Sequence, residues 1–79
     1  MLSKLRIKTI YNDFISKVNL TDEQIKILNM LLNKDTYVKI SMELGMSERT
    51  LGYEVRKIKN IYNDYVVLEK SKIDVLLNK

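Results

Sequence analysis

The stretch Ile40-Ser41-Met42-Glu43-Leu44-Gly45-Met46-Ser47-Glu48-Arg49-Thr50-Leu51 decides how this chain reads. It joins two short apolar-periodic segments through a turn of three to four residues that contains glycine, the layout of a helix-turn-helix. Each residue type has a geometric task. Ser41 is small where a second helix must cross closely. Gly45 stops the first helix, because glycine adopts positive φ without a Cβ penalty. Leu44, Met46 and Leu51 fill the angle between the helices, and Ser47 is a favourable N-cap for the second. A helix delivered this way places its N-terminal part in the major groove of DNA.

Working outward, the spacing predicts a scaffold helix from about Thr36 to Leu44, with Val38, Ile40, Ser41 and Leu44 inward, and a recognition helix over about 48–61, with Leu51, Val55, Ile58 and Ile61 or Tyr62 inward. Before them, Thr21 and Gln24 form a capping box. Asp22 and Glu23 suit the positive end of the dipole of the helix that follows. Ile25, Ile27, Leu28, Leu31 and Leu32 form its apolar face, and Asn33 is its expected left-handed end. Ile7, Ile10, Tyr11, Phe14, Ile15 and Val18 step by three and one, which predicts an additional N-terminal helix over about 4–18. After residue 59, Asn60-Ile61-Tyr62-Asn63-Asp64 favours a turn. Ser71-Lys72-Ile73-Asp74 then reads as a new start, with a final helix at 71–78. One unbroken helix from 48 onward is the alternative, since neither Pro nor Gly interrupts the later spacing. The expected fold is all-α, a small bundle of four to five helices containing the helix-turn-helix. It forms a single domain divided into 1–19, 20–61 and 62–79.

Here the chain resembles the GerE/LuxR-type helix-turn-helix family in its free-standing form. That family opens on Leu-Thr, matched by Leu20-Thr21; its Glu three residues on is Gln24. Its apolar pairs match Ile27-Leu28 and Met30-Leu31. Its Ile-Ala matches Ile40-Ser41, its Leu-Gly-Ile-Ser matches Leu44-Gly45-Met46-Ser47, and its Thr-Val matches Thr50-Leu51. Val55 and Ile58 take its later apolar positions, and no gap is needed from Leu20 to Ile61. Three positions depart from the pattern: Lys34 replaces a Gly, Glu54 a common His, and Gly52 a frequent polar or basic contact residue. DNA-binding region 4 of sigma factors is a second resemblance. Its recognition helix reverses the order of polar and apolar residues seen at Glu54 and Val55. The resemblance implies DNA binding. A homodimer is expected, because one short helix rarely supplies enough specificity; the first helix (Ile7, Tyr11, Phe14) and the last (Ile73, Leu76, Leu77) both offer apolar faces for it, and the resemblance favours the last.

Composition narrows the function. The 79 residues include no His, Cys, Trp or Pro. That excludes an ordinary zinc, haem or iron–sulfur site and any thiol or imidazole chemistry, so no cofactor, metal or catalytic residue is expected. The apolar runs are too short for a bilayer, and the dispersed charges at the start are unlike a signal peptide. A cytoplasmic protein without membrane contact is therefore expected. Abundant Lys, Ile and Asn suit AT-rich coding DNA, as in a low-GC bacterium or its phages. The net charge of +4 is uneven. Lys4, Arg6, Lys8 and Lys17 against Asp13 give residues 1–19 a net +3, and Arg49, Arg56, Lys57 and Lys59 against Glu48 and Glu54 give 47–61 a net +2. Basic patches of this kind attract the phosphate backbone through counterion release.

Helical spacing turns Glu48, Arg49, Gly52, Tyr53 and Arg56 outward. Arg49 and Arg56 are the expected base or phosphate readers. Tyr53 suits a thymine methyl or a phosphate, and Gly52 permits close approach. Ser47 and Thr50 can donate to phosphate, and Lys57 and Lys59 lie toward the backbone. Thr36 and Tyr37 begin the scaffold helix, where free N–H groups favour anions. The expected function is sequence-specific recognition of double-stranded DNA by a small transcriptional regulator rather than an enzyme. Two alternatives use the same fold. One is a factor that docks on RNA polymerase or another protein. The other is the DNA-recognition subunit of a phage packaging or recombination complex.

Overall fold

The computed structural model describes the backbone of residues 1–77 and the side chains of residues 1–69. Among the described residues the chain forms five helices in order: α1 (Leu2–Leu5), α2 (Lys8–Lys17), α3 (Asp22–Leu32), α4 (Tyr37–Leu44) and α5 (Glu48–Leu77). The protein is an all-α bundle containing a helix-turn-helix, with additional helical structure at its N-terminus. At about 1.5 Å per residue the 30 residues of α5 span roughly 45 Å. That length sets the long dimension of a molecule measuring 50 × 20 × 17 Å.

The core is one cluster centred on Phe14, Ile27, Leu28, Ile40, Leu51 and Ile58, all fully buried, with Leu5 sealing one side. α3 begins as its sequence requires. The Thr21 side chain accepts from the Gln24 N–H at 3.1 Å, and the Gln24 side chain accepts from the Thr21 N–H at 3.0 Å.

The N-terminal helix is not continuous over 4–18. Arg6 closes α1, and Ile7 is extended at φ −78°, ψ 115°. The reason lies in packing. Leu5 and Phe14 are nine residues apart, roughly 180° around an unbroken helix, so one helix could not bury both. The break lets both reach the core, at 1% and 0% exposure, and leaves Ile7 half exposed instead.

Two residues of the middle helices also differ from expectation. Asn33 has φ −78°; the left-handed residue after α3 is Lys34, at φ 65°. The left-handed position therefore falls one residue later than expected. Val38 is 56% exposed rather than inward. It lies two residues from Ile40, roughly 200° around the helix, and the inner face of α4 belongs to Ile40, Ser41 and Leu44.

The expected turn at Asn60–Asp64 is absent, and α5 runs unbroken through it. Tertiary packing overrides local propensity here. Tyr62 and Tyr65 make T-shaped contacts with the Phe14 ring at centroid distances of 5.6 and 5.2 Å, while Asn60, Asn63 and Asp64 face solvent. Tyr65 Oη donates to Asp13 Oδ2 at 2.6 Å, and Lys17 bridges Asp13 and Glu69 at 3.2 and 2.8 Å. α2 therefore braces α5 across its weakest stretch. The separate helix expected at 71–78 is instead a continuation of α5 as far as Leu77, and residue 78 lies outside the described residues.

Candidate nucleic-acid interface

The site is built by the turn between α4 and α5. Gly45 adopts φ 65°, ψ 34°, in the left-handed region. The N–H groups of Gly45 and Met46 both donate to the Ser41 carbonyl, which closes the end of α4. Ser41 is 7% exposed, and its hydroxyl donates to the Val38 carbonyl at 2.9 Å, so its polarity is satisfied where the helices cross. Ser47 then caps α5: its Oγ accepts from the Thr50 N–H at 3.1 Å and donates to Thr50 Oγ1 at 3.0 Å. With Leu51 fully buried one turn later, the opposite side of α5 is turned to solvent.

That outer side carries Arg49, Tyr53 and Arg56. All three are exposed, Tyr53 at 48%. Both guanidinium carbons lie 6.0 Å from the centre of the Tyr53 ring, Arg49 from one turn before it and Arg56 from one turn after. The ring restrains the two long side chains through cation–π attraction without occupying their N–H donors. Neither arginine has a carboxylate partner among the described residues. Gly52, half-buried between them, has nothing within 4 Å of where a Cβ would stand.

Glu54, which stands beside this face in sequence, is drawn off it. It accepts from Gln24 Nε2 at 3.3 Å and pairs with Lys57 at 3.2 Å. The same pair occupies Lys57. Lys59 is exposed and makes no ion pair among the described residues, and Glu48 is exposed at the first turn. At the start of α4, Thr36 is the N-cap: its Oγ1 accepts from the Lys39 N–H at 3.2 Å, and Tyr37 beside it is 41% exposed. The side chains of Ile73, Leu76 and Leu77 lie outside the described residues.

The structure thus places Arg49, Thr50, Gly52, Tyr53 and Arg56 on the first half of α5, directly after the Ser47 cap, with Thr36 and Tyr37 at the head of the preceding helix. Two features were not anticipated from the sequence. The bracing of both arginines by Tyr53 was legible in principle, since the three residues are spaced by four and three. The inward turn of Glu54 was not, because it depends on Gln24, thirty residues earlier, serving both as a cap and as a donor to α5.

Among the described residues no group of three His, Cys, Asp or Glu side chains is placed to hold a metal ion. No described helix is long and apolar enough to cross a membrane. No family model, curated protein or solved structure matches the chain.

Proposed function

We propose that this protein is a small sequence-specific binder of double-stranded DNA that acts as a transcriptional regulator in the cytoplasm of a bacterium or phage-infected cell, without enzymatic activity. The observation that carries the reading is the exposed Arg49–Tyr53–Arg56 stripe on the first half of α5, presented by the Gly45 turn. The expected GerE/LuxR-type pattern over 20–61 supports it. A braced arginine loses less side-chain freedom on binding, and a bidentate arginine–guanine contact contributes about 1–3 kcal/mol of discrimination. Ser47, Thr50, Lys59 and the start of α4 at Thr36 and Tyr37 would meet phosphates beside the groove. Lys57 would do so only by releasing Glu54.

The partner arrangement proposed is a homodimer through the second half of α5, where Val66, Val67 and Leu68 are 38%, 63% and 71% exposed. Two copies would then read two half-sites. Fluorescence anisotropy with duplex DNA over a range of salt concentrations tests the reading. Affinity should fall steeply and log-linearly with salt; a flat response would contradict it.

One observation favours a second reading, in which the same fold docks on a protein such as RNA polymerase. Val38 and Met42, one turn apart on the outer side of α4, are 56% and 76% exposed. Val38→Ser with Met42→Ser would abolish that docking while leaving duplex binding intact.

A further inference from the structure

The N-terminal segment, which has no counterpart in the resembled helix-turn-helix pattern, carries an unused concentration of positive charge. A shallow basin of about 400 Å³ lies where α1, α2 and α3 meet, and Arg6, Lys8, Asn12 and Asn29 line its rim. Tyr11, which also lines it, donates from Oη to Asn29 Oδ1 at 2.7 Å, which ties the two polar side chains together. No carboxylate lines the basin. Arg6 and Lys8 make no ion pair among the described residues, unlike Lys17, Lys39 and Lys57, which are each held by an acid. The break at Ile7 puts these two cations on either side of a bend instead of along one helix face.

The basin also touches Leu32, the last residue of α3. Two residues on stands Lys34, exposed and held at φ 65° although it is not glycine. Strain of this kind persists where the surroundings or a function require the side chain. The turn around Lys34 leads directly to Thr36 and the head of α4. Arg6 and Lys8 with the amides Asn12 and Asn29 thus line the basin, and Lys34, a third cation without a carboxylate partner among the described residues, follows two residues after its Leu32 edge.

Resting on the DNA-binding reading above, we infer that Arg6, Lys8 and Lys34 form a second contact with the phosphate backbone of the same duplex, outside the groove occupied by α5. The contact adds affinity and footprint length and carries no base preference, since phosphates are the same at every base pair. The N-terminal helices thus serve as a clamp on DNA as well as a brace on α5.

The experiment uses the full chain and a duplex enriched by the wild-type protein, with anisotropy read across a salt series for Arg6→Gln/Lys8→Gln, for Lys34→Gly and for a charge-matched control, Ser16→Asp/Asn63→Asp. The double variant should lower the log–log salt slope by about 2, roughly one per phosphate contact, while enriching the same sequence as wild type. Lys34→Gly should lower affinity and the slope by about 1 and, by relieving the left-handed lysine, raise the melting temperature. That opposite movement separates a lost contact from a damaged fold. An unchanged slope in the basin variants, an altered sequence preference, or an equal loss in the control would overturn the clamp. Absence of salt-dependent binding by the wild type would instead overturn the DNA-binding reading itself.

Discussion

Gly52 sits inside a helix, one turn from two arginines, and a methyl group added there meets nothing within 4 Å. Glycine in a helix interior is less favourable than alanine by about 1 kcal/mol. Gly52→Ala should therefore raise the stability of the free protein by about that amount, measured by chemical denaturation. If the helix backbone approaches the groove as closely as proposed, the same variant should bind its duplex several-fold more weakly; gain in both properties would show that Gly52 has no part in recognition. At this scale the outward set was legible from spacing, because Leu51, Val55 and Ile58 fix the inner face and the remainder follows. The pairing of Glu54 was not, since a carboxylate chooses its partners in three dimensions. Lys34 shows the same limit. Its backbone position is the one a glycine pattern marks, but no local signal says that a lysine will tolerate positive φ there.

Among the elements, α4 and the first half of α5 follow local rules: a left-handed glycine, a serine cap and two apolar stripes. The N-terminal helices and the length of α5 do not, and for a shared reason. Each turns on Phe14: burying it together with Leu5 requires the break at Ile7, and its ring packs against Tyr62 and Tyr65 of one continuous helix. Phe14→Ala should cost about 3–5 kcal/mol and, by circular dichroism, remove more helix than α2 alone contains as α5 loses its brace. Retention of full helicity would mean that α5 holds itself together.

The brace also has a pH signature. Burial, then the hydrogen bond to Asp13, push the Tyr65 hydroxyl up to about 12 from its usual 10. The hydrogen bonds to Glu69 and Asp13 raise Lys17 above its usual 10.5. Both shifts favour the protonated groups in the folded state, so their contribution is complete below pH 10 and is lost as pH rises from about 10 through 12. Denaturation midpoints measured over that window should fall for the wild type and fall less for Tyr65→Phe. Equal slopes would remove the hydroxyl from the account.

For the whole molecule, Val66, Val67 and Leu68 are exposed on α5 between Tyr65 and Glu69, which bond to α2, along a helix that spans nearly the full 50 Å length. The proposed homodimer would bury this apolar exposure. Sedimentation should show dimers that dissociate on dilution, and Val67→Glu/Leu68→Glu should give monomers that bind single half-sites weakly. A wild type that remains monomeric at every concentration would remove the dimer from the proposal.

The central claim is that the outer side of α5, opened by the Gly45 turn, reads DNA through Arg49 and Arg56. Selection from a pool of random duplexes tests it most directly, run in parallel with the wild type, Arg49→Ala and Arg56→Ala. The wild type should enrich one defined site, and each alanine variant should relax a different base position within it. No enrichment by the wild type, or the same unrelaxed site from all three proteins, would contradict the account.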